Sequence, residues 1–175
     1  WDNIGKNIDA DLSATLYDSN GMIYDYVGPL MLKGKSKLAT EDGAISHHGD
    51  SKGQNQQNGE TLSIALEKCA SHVKAIVIFL NCHEEGNFGE IETAQFSLFS
   101  IPSTINRPLQ SLSLGQYSQA QGLIAGILYR SPTDNLWWYE TSALPCQNAT
   151  NTAACNDLIQ DRLETIFQHP MSGRK

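Results

Sequence analysis

The 175-residue chain has no apolar run approaching the about 18 residues a membrane-spanning helix needs, so insertion into a bilayer is not expected. Cations are scarce: 12 Lys and Arg stand against 19 Asp and Glu, a formal charge of −7 at pH 7. The basic residues are scattered, which excludes the clustered positive surface that a nucleic-acid groove requires. Catalytic signatures are missing too: there is no Gly-x-Ser-x-Gly elbow, no Gly-x-x-x-x-Gly-Lys-Ser/Thr phosphate loop and no His-Glu-x-x-His pair. No internal repeat is present, and the opening residues do not read as a secretory signal, so the expectation is a soluble, cytoplasmic protein. What the chain does have is 40% hydrophobic content, enough for one domain spanning 1–175 with a real core.

Strand patterns dominate. Ala10, Leu12, Ala14 and Leu16 alternate with Asp9, Asp11 and Ser13, so a strand at 9–17 has an apolar face toward a core and a polar face opposite. Asp18-Ser-Asn-Gly21 then predicts a hairpin into 22–27, with Asn-Gly supplying positive φ. Leu62, Ile64 and Leu66 alternate, and Val73 to Leu80 is a continuous apolar run suited to a central strand buried on both faces. Further short strands are expected at 93–99, 109–114, 122–130 and 135–140. This spacing predicts an all-β, two-sheet sandwich over 1–140, followed by a loop and one amphipathic helix within 141–170. In that helix Asn156 is the expected cap, Ile159, Leu163, Ile166 and Phe167 form the stripe, and Pro170 ends the pattern. Most such stripes cover their own domain; the alternative is an exposed partner-binding helix.

Oxygen-rich side chains gather in two places. Asp9 and Asp11 point the same way, roughly 7 Å apart along the strand. The loop from His47-His48-Gly49-Asp50 to Asn58-Gly59-Glu60 is bounded by glycines that let its backbone turn inward. Hard cations seek several carboxylate and carbonyl oxygens arranged in this way. His47, His48 and Asp50 offer a second reading, a metal-dependent hydrolase, but adjacent histidines on an extended segment face opposite sides. A third reading is a small-ligand or protein-binding sandwich without metal. The aromatic run Trp137-Trp138-Tyr139 should expose at least one ring, and His83-Glu84-Glu85 is either a further ligand turn or a solvated cluster.

Four cysteines leave the compartment open. Cys69 and Cys82 read as small buried hydrophobes, whereas Cys146 and Cys155 bracket a polar loop that a disulfide could staple; in a reducing cytosol thiols are expected. Asn148-Ala149-Thr150 matches a glycosylation acceptor by coincidence if the chain is not secreted.

The sequence resembles the TerD domain family in the order and spacing of Trp1-Asp2, Asp9-Ala-Asp-Leu-Ser-Ala14, Ser46-His-His-Gly-Asp50, Gly59-Glu60, Asn87-Phe-Gly89 and Gly126-Ile-Leu-Tyr-Arg130. That family comprises tellurite-resistance and stress-response proteins and is related to cAMP-binding proteins of slime moulds. The resemblance implies a calcium-binding, non-enzymatic β-sandwich whose partners are calcium and other stress-response proteins. It carries Asp9, Asp11, Asp50 and Glu60 onto the family's acidic metal-site positions, and the amide of Asn58 is a further candidate ligand. Where the family has an acid-rich loop, this chain has Gln54, Gln56, Asn58 and Gly59, which implies one weakened site because calcium affinity follows ligand charge.

Overall fold

The computed structural model describes residues 2–3, 10–29, 36–49, 59–82, 86–101, 107–147 and 152–168. In chain order its strands are β1 (Asp2–Asn3), β2 (Ala10–Tyr17), β3 (Ile23–Val27), β4 (Ile45–His47), β5 (Leu62–Ile64), β6 (Ala75–Cys82), β7 (Ile91–Thr93), β8 (Gln95–Leu98), β9 (Gln110–Ser113), β10 (Gly122–Arg130) and β11 (Trp137–Cys146). One helix, α1 (Asn156–Gln168), follows. Five strands form an antiparallel sheet in the order β11-β10-β6-β2-β3, while β1 pairs with β7, β4 with β5 and β8 with β9. Mostly antiparallel β structure with a single C-terminal helix agrees with the sequence expectation, the layer opposite the helix being built from short ladders.

Both faces of the central sheet are covered. Leu12, Ala14, Leu16, Ile76, Ile78 and Leu80 join one core cluster with Ile45, Phe88, Phe96 and Leu114 from the short ladders and their connections. Tyr17, Val77, Phe79, Ile124 and Ile127 join a second cluster with Ile159, Leu163 and Ile166 of α1. The helix therefore spends its apolar stripe on its own sheet rather than leaving it exposed for a partner. Asn156 does not cap it from outside, because a 3-10 turn at Thr152–Cys155 runs directly into the helix.

The polar face of β2 is enclosed like the apolar one: every residue of the strand is buried, since β2 lies between β6 and β3 and the sheet is covered on both sides. Two local expectations are corrected. At the β2–β3 turn only Gly21 takes a positive φ, 71°; Asp18 Oδ1 accepts the N–H groups of Asn20 and Met22 at 2.8 and 2.9 Å, and the strand register shifts at Leu16/Tyr17. The turn is thus an Asp-closed loop with a bulge rather than a two-residue one. Strand β11 runs to Cys146 instead of ending at 140. Its bulge places Ala143 at φ 48°, and Pro145 is tolerated because β11 is a sheet edge where a missing N–H costs no ladder bond. Opposite it, Gly126 lies so close to the Tyr139 phenol that no side chain fits there.

Candidate metal centre

Asp11 sits on β2 directly opposite Asn81 of β6, on the face that α1 covers further along. It is 2% exposed, and its Oδ2 accepts a hydrogen bond from Asn81 Nδ2 at 3.2 Å. A carboxylate so placed costs free energy unless it is paired, hydrogen-bonded or bound to a cation.

Glu60 reaches the same end of β2 from the segment leading into β5. Strand β3 pairs with β2 only over Ala14–Tyr17, so the Leu12 N–H lies beyond that ladder. Glu60 Oε2 takes the place of the missing strand and accepts this N–H at 2.6 Å. The same oxygen is 3.2 Å from Nε2 of His47, and both side chains are fully buried. Gly49 N–H donates to His47 Nδ1 at 3.1 Å, so Nδ1 carries no proton and Nε2–H donates to Glu60. Both ring nitrogens of His47 are engaged, one with Glu60 and the other with the Gly49 N–H. A metal would need the lone pair that Gly49 already uses.

His48 points the other way: it is exposed and its Nε2 lies 2.7 Å from Ser63 Oγ. The two histidines do not converge, as their extended backbone demands. Among the described residues, no group of three or more His, Cys, Asp or Glu is arranged to hold a metal ion. Asp9, Asp50 and Asn58 lie outside the described residues, as do Gln54, Gln56, His83-Glu84-Glu85 and the Asn148-Ala149-Thr150 acceptor. Of the candidate ligands, Asp11 and Glu60 are described, and both act on the Tyr26 phenol.

Tyr26 joins them, a residue whose part in the site sequence reading missed. It faces Thr15 across the β2–β3 ladder, which puts its ring on the Asp11 side of the sheet. Burial pushes its phenol up to about 12, a hydrogen bond with Ser13 pulls it down, and the Asp11 and Glu60 carboxylates add to the rise. Gly28 leaves room for this arrangement: a Cβ there would stand 2.6 Å from Tyr26 Oη and 2.8 Å from Ser13 Cβ. Asn81 was likewise missed, and its signal was available: it is the one amide in the otherwise apolar run of β6. Cys82, beside it, has its thiol pushed up to about 12 by burial, with Glu90 and Asp11 adding to the rise.

These shifts set an alkaline limit. In the unfolded chain Cys82 and Tyr26 release protons from near 9 and 10, whereas in the folded protein both hold them to about 12. The unfolded state gains the advantage of ionising first, so stability is fully present below about pH 9 and falls as pH rises through 12. Urea midpoints measured from pH 8 to 12 should decline over that window, with tyrosinate absorbance of the native protein delayed relative to the unfolded chain.

Other residues of the resemblance serve the fold. Asn87 and Glu90 form a reciprocal capping box on a short 3-10 turn, with Phe88 fully buried between them. Gly126 to Arg130 belong to the central strand β10, and Arg130 lies 4.6 Å from the Trp137 ring centre. Of the aromatic run, Trp138 is the exposed ring, at 36%.

An antiparallel sheet with short ladders on one face and a single C-terminal helix on the other defines the class of protein. Solved structures share it, among them the following two. A protein of unknown function, SAV2460, aligns with a TM-score of 0.72 at 15% identity, covering 88% of this chain and 89% of that one. A homologue of the telluride resistance protein TerD, SCO6318 from Streptomyces coelicolor, aligns with a TM-score of 0.68 at 14% identity, covering 88% and 90%. No curated protein matches the chain. The TerD domain matches residues 1–141, and the chain belongs to that family.

Proposed function

We propose that this chain is a calcium-binding, non-enzymatic domain of the tellurite-resistance type, acting in a cytoplasmic stress response. Its calcium ligands are Asp9, Asp11, Asp50, Asn58 and Glu60. The observation that supports this reading is the burial of two carboxylates, Asp11 and Glu60, that both act on the Tyr26 phenol. Like charges held together away from water are mutually destabilising, and a divalent cation offsets both their repulsion and their desolvation. The donors are all oxygens, which suits calcium, while the His47 imidazole is committed to Glu60 and Gly49.

Calcium bound there links strand to loop and stabilises only the folded state. At a hundredfold excess over Kd such binding adds roughly 2.7 kcal/mol. Melting temperature is expected to rise with millimolar calcium and return to its starting value with chelator. An unchanged melting curve favours the metal-free ligand- or protein-binding sandwich instead.

A further inference from the structure

Away from the metal centre, two of the four cysteines meet. Cys146 closes β11 and stands opposite Gly122 of β10; Cys155 ends the 3-10 turn that leads into α1. Both are free thiols, each 3% exposed, and both belong to the core cluster beneath the helix. Each thiol acts on the ionisation of the other, Cys155 serving as donor when Cys146 ionises; in the neutral pair the Cys146 thiol donates to the Leu144 carbonyl oxygen at 3.7 Å. Tyr17 adds a third polar group: it is fully buried, its hydroxyl has no hydrogen-bond partner, and it lies close enough to Cys155 to interact electrostatically. Ala154, next to Cys155, is exposed, so the pair lies one residue beneath the surface.

We propose that Cys146 and Cys155 are a redox dithiol site, oxidised by hydroperoxides to an intramolecular disulfide that ties the end of β11 to the start of α1. The two sulfurs have distinct roles. The Cys155 hydrogen bond holds the Cys146 thiol below its ordinary range, against the opposing effect of burial, and the Ile124 backbone N–H helps; donating that bond leaves Cys155 protonated. Cys146 is therefore the attacking thiolate and Cys155 the resolving thiol.

With hydrogen peroxide, Cys146 sulfur attacks one peroxide oxygen. The S–O bond forms, the O–O bond breaks, and the departing hydroxide takes a proton to become water. Cys155 sulfur then attacks the sulfenic sulfur of Cys146, losing its proton. The S–S bond forms, the S–O bond breaks, and the second oxygen leaves as water. Two electrons pass from the sulfurs to the peroxide, and two thiols with one peroxide give one disulfide and two waters. The unpartnered Tyr17 hydroxyl is the donor available to Cys155 as its charge develops. Closing this link joins α1 covalently to the sheet it covers.

The test uses the full reduced chain, treated with hydrogen peroxide and quenched in denaturant with an alkylating agent. Trypsin places Cys146 and Cys155 together in the peptide 131–162, with Cys69 and Cys82 in two others. Alkylation in the first peptide should fall at least tenfold, with loss of two hydrogens in mass, while Cys69 and Cys82 remain fully labelled. Dithiothreitol should reverse the change, together with an upward shift in melting temperature that accompanies it. Cys155→Ser should trap a sulfenic acid at Cys146 that reacts with a dione probe. Equal labelling of all four cysteines before and after oxidation overturns the proposal, as does sulfinic acid at Cys146 of the wild-type chain without a disulfide, or a disulfide involving Cys69 or Cys82.

Discussion

Asp11→Asn should lower calcium affinity by about two orders of magnitude, near 2.7 kcal/mol, while the metal-free protein stays as stable as the wild type or gains slightly. The side chain is 2% exposed and its Oδ2 accepts from Asn81; asparagine keeps the shape and a carbonyl that accepts the same bond. What it removes is the charge. Asp11 and Glu60 both raise the Tyr26 phenol, so removing one of the two charges eases its ionisation. Under the calcium reading the same charge is the main attraction for the metal. Paired calcium titrations and metal-free urea midpoints separate the two roles. Unchanged affinity would remove Asp11 from the ligand set, and a large loss of metal-free stability would make it a structural residue.

Glu60→Ala should destabilise the metal-free protein by about 3–5 kcal/mol, the largest effect expected of any single change at the site. One carboxylate oxygen accepts both the Leu12 N–H and the His47 Nε2–H, with the Glu60 and His47 side chains fully buried. Truncation strands two donors away from water, each at about 1–3 kcal/mol, and releases the ring that anchors Gly49. Glu60→Gln keeps an acceptor for Leu12 and should cost roughly half as much, yet it removes the charge that calcium needs. The contrast matters: alanine reports on the strand edge, glutamine on the metal. Urea denaturation in chelator measures the first, and a Glu60→Ala midpoint within about 1 kcal/mol of wild type would show that the strand edge does not depend on this carboxylate.

Much of the frame was legible because it rests on periodicity. The apolar alternation of β2, the uninterrupted run ending in β6 and the helical stripe of Ile159, Leu163 and Ile166 each mark a buried surface directly. What covers the polar face of β2 was not legible, since Ser13 and Thr15 are small enough to be enclosed but carry no apolar signal of their own. The end of β11 was hidden by Pro145 and by the positive φ of Ala143, both of which read as loop until the strand is known to be an edge. At the candidate site, Asp11 and Glu60 could be named from their spacing and resemblance. The role of Glu60 as a cap on an unpaired strand end could not, because it depends on where the β3 ladder stops. His47 was misleading for a similar reason: a histidine beside acids suggests a ligand, and only its two hydrogen bonds show it acting on Glu60.

The most direct test of the account is calorimetric titration of calcium into the chelator-treated full chain. One site is predicted, with Kd on the order of 10⁻⁵ M or weaker, because amides at Gln54, Gln56 and Asn58 stand where charge would tighten it. Binding should strengthen in Gln56→Asp with Asn58→Asp and weaken by about two orders of magnitude in Asp11→Asn. Absence of any calcium heat at millimolar concentration, with no change in melting temperature, would contradict the central claim.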